Sequence, residues 1–275
     1  MTGLELDIAS IRIGLTVGPR LRHRLRRRYG DFLRTTPLHA PRPQLRLISL
    51  PDDSPEDSRR LPAVRLDSRD ELHVQLLGDC VGSLDVAGGH GVLERGAGFI
   101  GVDAMLRLSL SMLAPGAGWV LLHGAAMEVA SGGWALLLGP SGAGKSTAAR
   151  AFTSWCDELV LARPEGDRAE AASTPYWNGH AGRAPCRALV CLERAEVALV
   201  RQLRGGEAVR ALLEHVVRHV PRESADRTLF ERICALARAV PVLRVRCTSG
   251  PHYPGELARA LQSSGLPLRW SPRCP

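Results

Sequence analysis

Apolar and polar residues alternate along Ile11–Val17, the period of a half-buried β-strand, and the pattern then changes to helical spacing. Leu21, Leu25, Tyr29, Phe32 and Leu33 recur every three or four residues, which predicts a helix from about Pro19 to Leu33. A further strand is expected around Leu45–Leu50, followed by a charged loop without periodicity, Pro51–Arg60. Short strands over His73–Leu77, Gly82–Val86 and Gly91–Arg95 are separated by glycine turns. Val102–Leu113 returns to helical spacing, and the run Ala114-Pro-Gly-Ala-Gly118 breaks it. A domain boundary is expected there, giving an N-terminal α+β domain (1–115) and a second domain (116–275).

From Trp119 the pattern is different. Trp119–Val129 reads as a strand, Ser131-Gly132-Gly133 as a tight turn, and Trp134–Leu138 as the antiparallel partner. Ser146–Phe152 opens a helix, and Cys156–Leu161 is an apolar strand entered through two carboxylates. Strands or turns are expected at Thr174–Gly179 and Ala188–Leu192, helices at about Gly206–Val220 and Ser224–Ala239, a strand at Val242–Cys247 and a last helix from Gly255. No internal repeat and no low-complexity segment is found.

The segment that joins the hairpin to the next helix carries the chemistry. Gly139-Pro140-Ser141-Gly142-Ala143-Gly144-Lys145-Ser146-Thr147 is a complete GxxxxGK[ST] loop with a strand before it and a helix after it. Its glycines let backbone N–H groups turn inward toward phosphate oxygens, and Ser146 is the expected Mg²⁺ ligand. Lys145 is the only lysine in 275 residues; every other basic side chain except histidine is arginine. Arginine is thus replaced only where a compact ammonium on a flexible stem must reach between phosphates. Asp157 and Glu158 begin a strand twelve residues later, a spacing that lets one helix return the chain to the phosphate end of the sheet. They read either as a metal ligand with a proton-accepting base, or as a solvated strand entry.

Composition narrows the class. With 45% hydrophobic residues the chain can bury one large core or two smaller ones. No stretch approaches the ~20 apolar residues that cross a bilayer, and Met1–Asp7 lacks a signal-peptide pattern, so no membrane association and a cytoplasmic location are expected. Seven cysteines at spacings without a CxxC indicate neither a disulfide framework nor a zinc site. His215 and His219, four apart in an expected helix, would share a face as metal ligands do, but without a third ligand they are read as surface residues. The net charge of +8 is mild for a nucleic-acid binder, although Arg20, Arg22, Arg24, Arg26, Arg27 and Arg28 crowd one segment. They are read first as the wet face of the amphipathic helix, then as a grip for an acidic partner, and last as a nucleic-acid contact.

The combination of His123-Gly124, the phosphate loop and the acidic strand entry resembles the HPr kinase family, whose core is similar to that of phosphoenolpyruvate carboxykinase. Thr174-Pro175-Tyr176-Trp177 and Ala188–Glu193 look like the relatives' pattern as well, so the resemblance covers roughly Trp119 to Leu192. It implies an α/β fold with a mixed-sheet P-loop kinase core. It implies His123 near the γ-phosphate with Lys145, Asp157 as general base, and Glu158 or Asp157 assisting the metal. Between Lys145 and Asp157 the chain is about five residues shorter than such relatives, and the family's second signature, linked to phosphate removal from HPr, has no match after Asp157.

The expected function is therefore an ATP- and Mg²⁺-dependent kinase acting on a hydroxyl. The expected acceptor is a serine of a protein or ribosomally made peptide, with the first domain as a docking surface. The competing expectations are a nucleotide-gated regulatory module without transfer, or a small-molecule kinase with the first domain as a lid. Arg183, Arg187 and Arg194 could each supply positive charge to the transferring group. A homo-oligomer is compatible with the sequence.

Overall fold

The computed structural model describes residues 2–34, 43–49, 63–66, 73–77, 81–86, 88–95, 99–176, 179–219 and 223–272. The expected loop Pro51–Arg60 lies outside them, as do Leu50 and Trp177. The chain divides into two compact units, Met1–Ala117 with Arg218–Ala225, and Gly118–Val217 with Asp226–Pro275.

The first unit is an eight-stranded sheet. Its elements are β1 (Thr2–Ile8), β2 (Ile11–Val17), α1 (Pro19–Tyr29), β3 (Leu33–Arg34), β4 (Leu45–Ser49), β5 (Ala63–Leu66), β6 (His73–Leu77), β7 (Val81–Asp85), β8 (His90–Arg95) and α2 (Phe99–Leu113). The strand order is β3-β1-β2-β4-β8-β7-β6-β5, with β4 parallel to β2 and to β8 and the other pairs antiparallel. The β1–β2 hairpin closes through Ala9 and Ser10, both at positive φ, as a two-residue turn that follows strand twist requires. Every second residue of β2 is buried, the alternation read from its sequence. Helix α1 buries Leu25 and Tyr29 and exposes Arg20, Arg24, Arg26 and Arg27. It ends at Tyr29 and not Leu33, because Gly30–Phe32 tightens to a 3-10 turn and Leu33–Arg34 pairs with β1. The Tyr29 hydroxyl donates to Asp103 of α2, tying the two helices together.

The second unit is a seven-stranded mixed sheet covered on both faces. It comprises β9 (Val120–Glu128), β10 (Trp134–Leu138), α3 (Lys145–Ala151), β11 (Ser154–Glu165), β12 (Arg168–Ser173), β13 (Arg183–Arg194), β14 (Leu199–Leu203), α4 (Gly205–Leu213), α5 (Glu223–Ala239), β15 (Val242–Cys247) and α6 (Tyr253–Ser263). The order is β10-β9-β11-β12-β13-β15-β14, and β10 also pairs in parallel with β13. Strand β10 is buried along its whole length, so its residues serve two cores by alternation. Trp134, Leu136 and Leu138 pack with Leu212, Leu229, Ile233 and Leu236 of α4 and α5. Ala135 and Leu137 pack with Ala148 and Ala151 of α3 and Leu257 and Leu261 of α6.

Several elements differ from expectation. Strands β1, β5, β12 and β14 were not read from the sequence; β12 is alanine-rich and gains its place from pairing with β11 and β13 rather than from propensity. At Thr174–Tyr176, where a strand or a turn was expected, the chain bends and turns. The helix expected to reach Val220 ends at Leu213, because the following residues bond instead to β9: Val217 N–H donates to the Leu121 carbonyl at 2.9 Å, and His123 N–H donates to the His215 carbonyl at 2.8 Å. Strand β10 pairs β9 only from Gly124 onward, which leaves this earlier edge of β9 open for residues 215–217.

No described helix is long and apolar enough to cross a membrane. Gly124 stands between Leu138 of β10 and Glu158 of β11, and a Cβ there would lie 2.6 Å from Leu138 Cδ2 and 2.8 Å from the Leu137 carbonyl. Gly124→Ala is expected to destabilise the protein by about 1–3 kcal/mol through overpacking, read as a lower urea midpoint at unchanged slope.

Candidate functional site

A cleft of 1140 Å³ in the second unit gathers most of the residues expected to carry chemistry. His123, Ser141, Gly142, Gly144, Lys145, Ser146, Thr147, Asp157 and Glu158 all line it. Gly139, Pro140 and Ala143 are the remaining loop residues; Ala143 is buried beneath the loop in the α3–α6 core.

The loop from β10 to α3 has an open ladder of donors. Among its backbone N–H groups Ala143 donates to the Pro140 carbonyl at 3.1 Å, whereas those of Gly142, Gly144, Lys145 and Ser146 have no acceptor among the described residues. Glycine is required at two of these positions by conformation, φ being +81° at Gly142 and +106° at Gly144. It is required at Gly144 by space as well, since a Cβ would fall 2.5 Å from Cζ of Tyr253. Lys145 is 6% exposed and its Nζ donates to the Gly139 carbonyl at 2.6 Å and the Pro140 carbonyl at 3.0 Å.

The acidic pair reaches the same cleft by breaking strand geometry. Adjacent strand residues project to opposite faces, yet Asp157 and Glu158 both line the cleft. The register of β11 against β9 shifts between Ser154 and Cys156, and Glu158 adopts φ of +111°, a conformation rare for a residue with a side chain. Outliers of this kind hold strain of about 1–3 kcal/mol and concentrate at functional sites.

The charges of the cleft sense one another. Burial lowers the Lys145 pKa, opposed by Asp157. Burial and then Lys145 lower that of His123, opposed by Glu158 and Asp157. His215, read from sequence as a surface residue on a helix, is instead buried in the turn after α4, where burial, Lys145 and His123 bring its pKa down to about 4. It is the residue of this cluster that periodicity misplaced; its partner in the expected pair, His219, is exposed. His180 and Tyr253 were also missed. His180 lines the cleft with its N–H on the Trp155 carbonyl at 2.8 Å. The Tyr253 ring supports Gly144, its hydroxyl is buried without a partner among the described residues, and burial raises its pKa. No local signal marks either residue, since each is placed by packing between distant segments.

Among the described residues no three His, Cys, Asp or Glu side chains form a metal cluster. Ser146, Asp157 and Glu158 are among the oxygen donors that line the cleft.

No protein-family model and no curated protein matches the sequence. Among solved structures, the HPr(Ser) kinase/phosphatase from Coxiella burnetii is similar over 53% of this chain and 95% of its own, at 10% identity and a TM-score of 0.34, a likeness too slight to carry an argument.

Two measurements probe the cluster. Glycine in a strand ordinarily costs stability relative to alanine; at position 158 the order is expected to reverse, Glu158→Gly exceeding Glu158→Ala by about 1 kcal/mol because it releases the positive-φ strain. Paired denaturant titrations read this difference. The histidines set the acid response: with folded pKa values below 6.5, the unfolded chain binds more protons, so stability is full above pH 6.5 and falls as pH drops toward 4. His215→Gln is expected to flatten the melting temperature against pH over that window, removing about 3 kcal/mol of acid sensitivity.

Proposed function

We propose that this protein is an ATP- and Mg²⁺-dependent kinase that transfers a γ-phosphoryl group to a hydroxyl. The observation that carries the reading is one cleft lined by Lys145, Asp157, Glu158 and His123 together with a loop of which four N–H groups have no acceptor among the described residues. Phosphoryl transfer needs little more than clamped phosphates, a cation and a residue that orients the acceptor oxygen.

In this reading the N–H groups of Gly142, Gly144, Lys145 and Ser146 bind the phosphate chain, and the Lys145 ammonium exchanges the Gly139 and Pro140 carbonyls for phosphate oxygens. Ser146 with Glu158 would hold Mg²⁺, which when bound neutralises charge on the phosphate oxygens. Asp157 accepts the proton of the acceptor hydroxyl. His123, neutral near pH 7 because its pKa is depressed, offers a hydrogen bond near the transferred group without adding a second positive charge beside Lys145. The acceptor class, a serine of a protein or ribosomally made peptide, follows from the family resemblance of the sequence motifs.

Incubation with γ-labelled ATP, Mg²⁺ and a soluble extract of the source cell is expected to label an acceptor. Asp157→Asn is expected to lower the label by about a hundredfold or more while ATP affinity stays within a few-fold. Tight ATP binding with no labelled acceptor would overturn transfer and favour a nucleotide-gated module, and equal labelling by Asp157→Asn would remove Asp157 from its role.

A further inference from the structure

Of the arginines that follow the acidic pair, Arg183, Arg187 and Arg194 are the three expected from sequence to serve a transferred phosphoryl group, and the fold separates them. Arg183 lies over the face of Trp119, with its guanidinium 5.5 Å from the ring centroid. Arg187 donates from Nε to the Gly132 carbonyl at 2.8 Å, at the turn of the β9–β10 hairpin. Neither lines the cleft. Arg194 does, and its guanidinium stands against the loop itself: a Cβ placed on Gly142 would lie 3.6 Å from Nη2 and 3.9 Å from Cζ.

The position follows from strand pairing. Leu138, the last residue of β10, is beside Cys191 of the parallel strand β13, so the three residues after Cys191 run on past the point where β10 becomes the loop. Arg194 is the last residue of β13 and arrives level with the loop's middle. Its neighbours are committed elsewhere. Glu193 is occupied by Arg244 at 2.8 Å and Arg246 at 3.0 Å, and Glu207 by Arg201 and Arg244. Arg150, the other arginine of the cleft, donates to the Ser146 carbonyl of its own helix at 3.2 Å. Among the described residues no carboxylate pairs with Arg194.

An exposed guanidinium with no carboxylate partner among the described residues, beside backbone N–H groups with no acceptor there, is a convergence of donors suited to an anion. We infer that Arg194 is the side chain that joins Lys145 in holding the phosphate chain of the bound nucleotide, its planar fork gripping phosphate oxygens across Gly142. The glycine at 142, required by its positive φ, places the loop backbone within ordinary contact of the guanidinium. This inference rests on the reading of Gly139–Thr147 as a nucleotide loop.

Isothermal titration of the full chain with ATP and Mg²⁺ tests both levels separately, using the intact protein, Arg194→Ala, Arg194→Lys, Arg183→Ala, Arg187→Ala and Lys145→Ala. Circular dichroism checks that each variant folds. Arg194→Ala is expected to bind roughly ten- to a hundredfold more weakly, as loss of a charge-assisted phosphate contact requires, with Arg194→Lys between it and the intact protein and Arg183→Ala and Arg187→Ala unchanged. An intact protein that fails to bind ATP would overturn the loop reading and this inference with it. If the intact protein binds and Lys145→Ala does not, while Arg194→Ala keeps its full affinity, the inference about Arg194 alone falls.

Discussion

The pairing of β9 with β10 on one side and β11 on the other is the constraint from which the site follows. These hydrogen bonds fix Gly124 in the middle of three strands with His123 next to it against β11, deliver the chain from Leu138 directly into the loop, and bring Asp157 and Glu158 level with Ala125 and Gly124. Gly124 has no side chain at the one level where the loop departs and the carboxylates arrive, and a Cβ there would meet Leu138 and the Leu137 carbonyl. A register slip of one residue between β9 and β10 would reverse which core each residue of β10 fills.

The site opposes the stability of the sheet that carries it. Glu158 is held at positive φ in the strand, Lys145 and His123 are partly desolvated beside each other, and Tyr253 buries a hydroxyl beneath Gly144. Each is unfavourable taken singly. They are sustained by the two cores that sandwich β10, in which aliphatic residues of α4, α5, α3 and α6 are fully enclosed.

What could be read in the sequence, and what could not, divides along a physical line. Elements with local signals are legible: the alternation of β2, the hairpin turn at Gly132-Gly133, the glycine-lysine loop and the apolar strand β15 all depend on neighbours within a few residues. His123, Lys145, Asp157 and Glu158 were nameable from motif and spacing, and the fold gathers them into one cleft. Strands such as β12, whose alanines have little strand preference, exist through long-range pairing. His215 was misplaced because helical spacing continues past Leu213 in sequence while the backbone leaves the helix to satisfy the edge of β9. Among Arg183, Arg187 and Arg194, sequence offers no ranking, since it does not state which strand ends beside the loop.

The bonds between residues 215–217 and the edge of β9 are made entirely by main-chain atoms. These bonds do not depend on which side chains stand at 215–217, so long as no proline removes the Val217 donor. The connection between α4 and α5 is in this way a brace on the backbone of His123 that sequence comparison would overlook. Variation there would look like the drift of an ordinary surface turn, even though the brace ends at a histidine of the cleft.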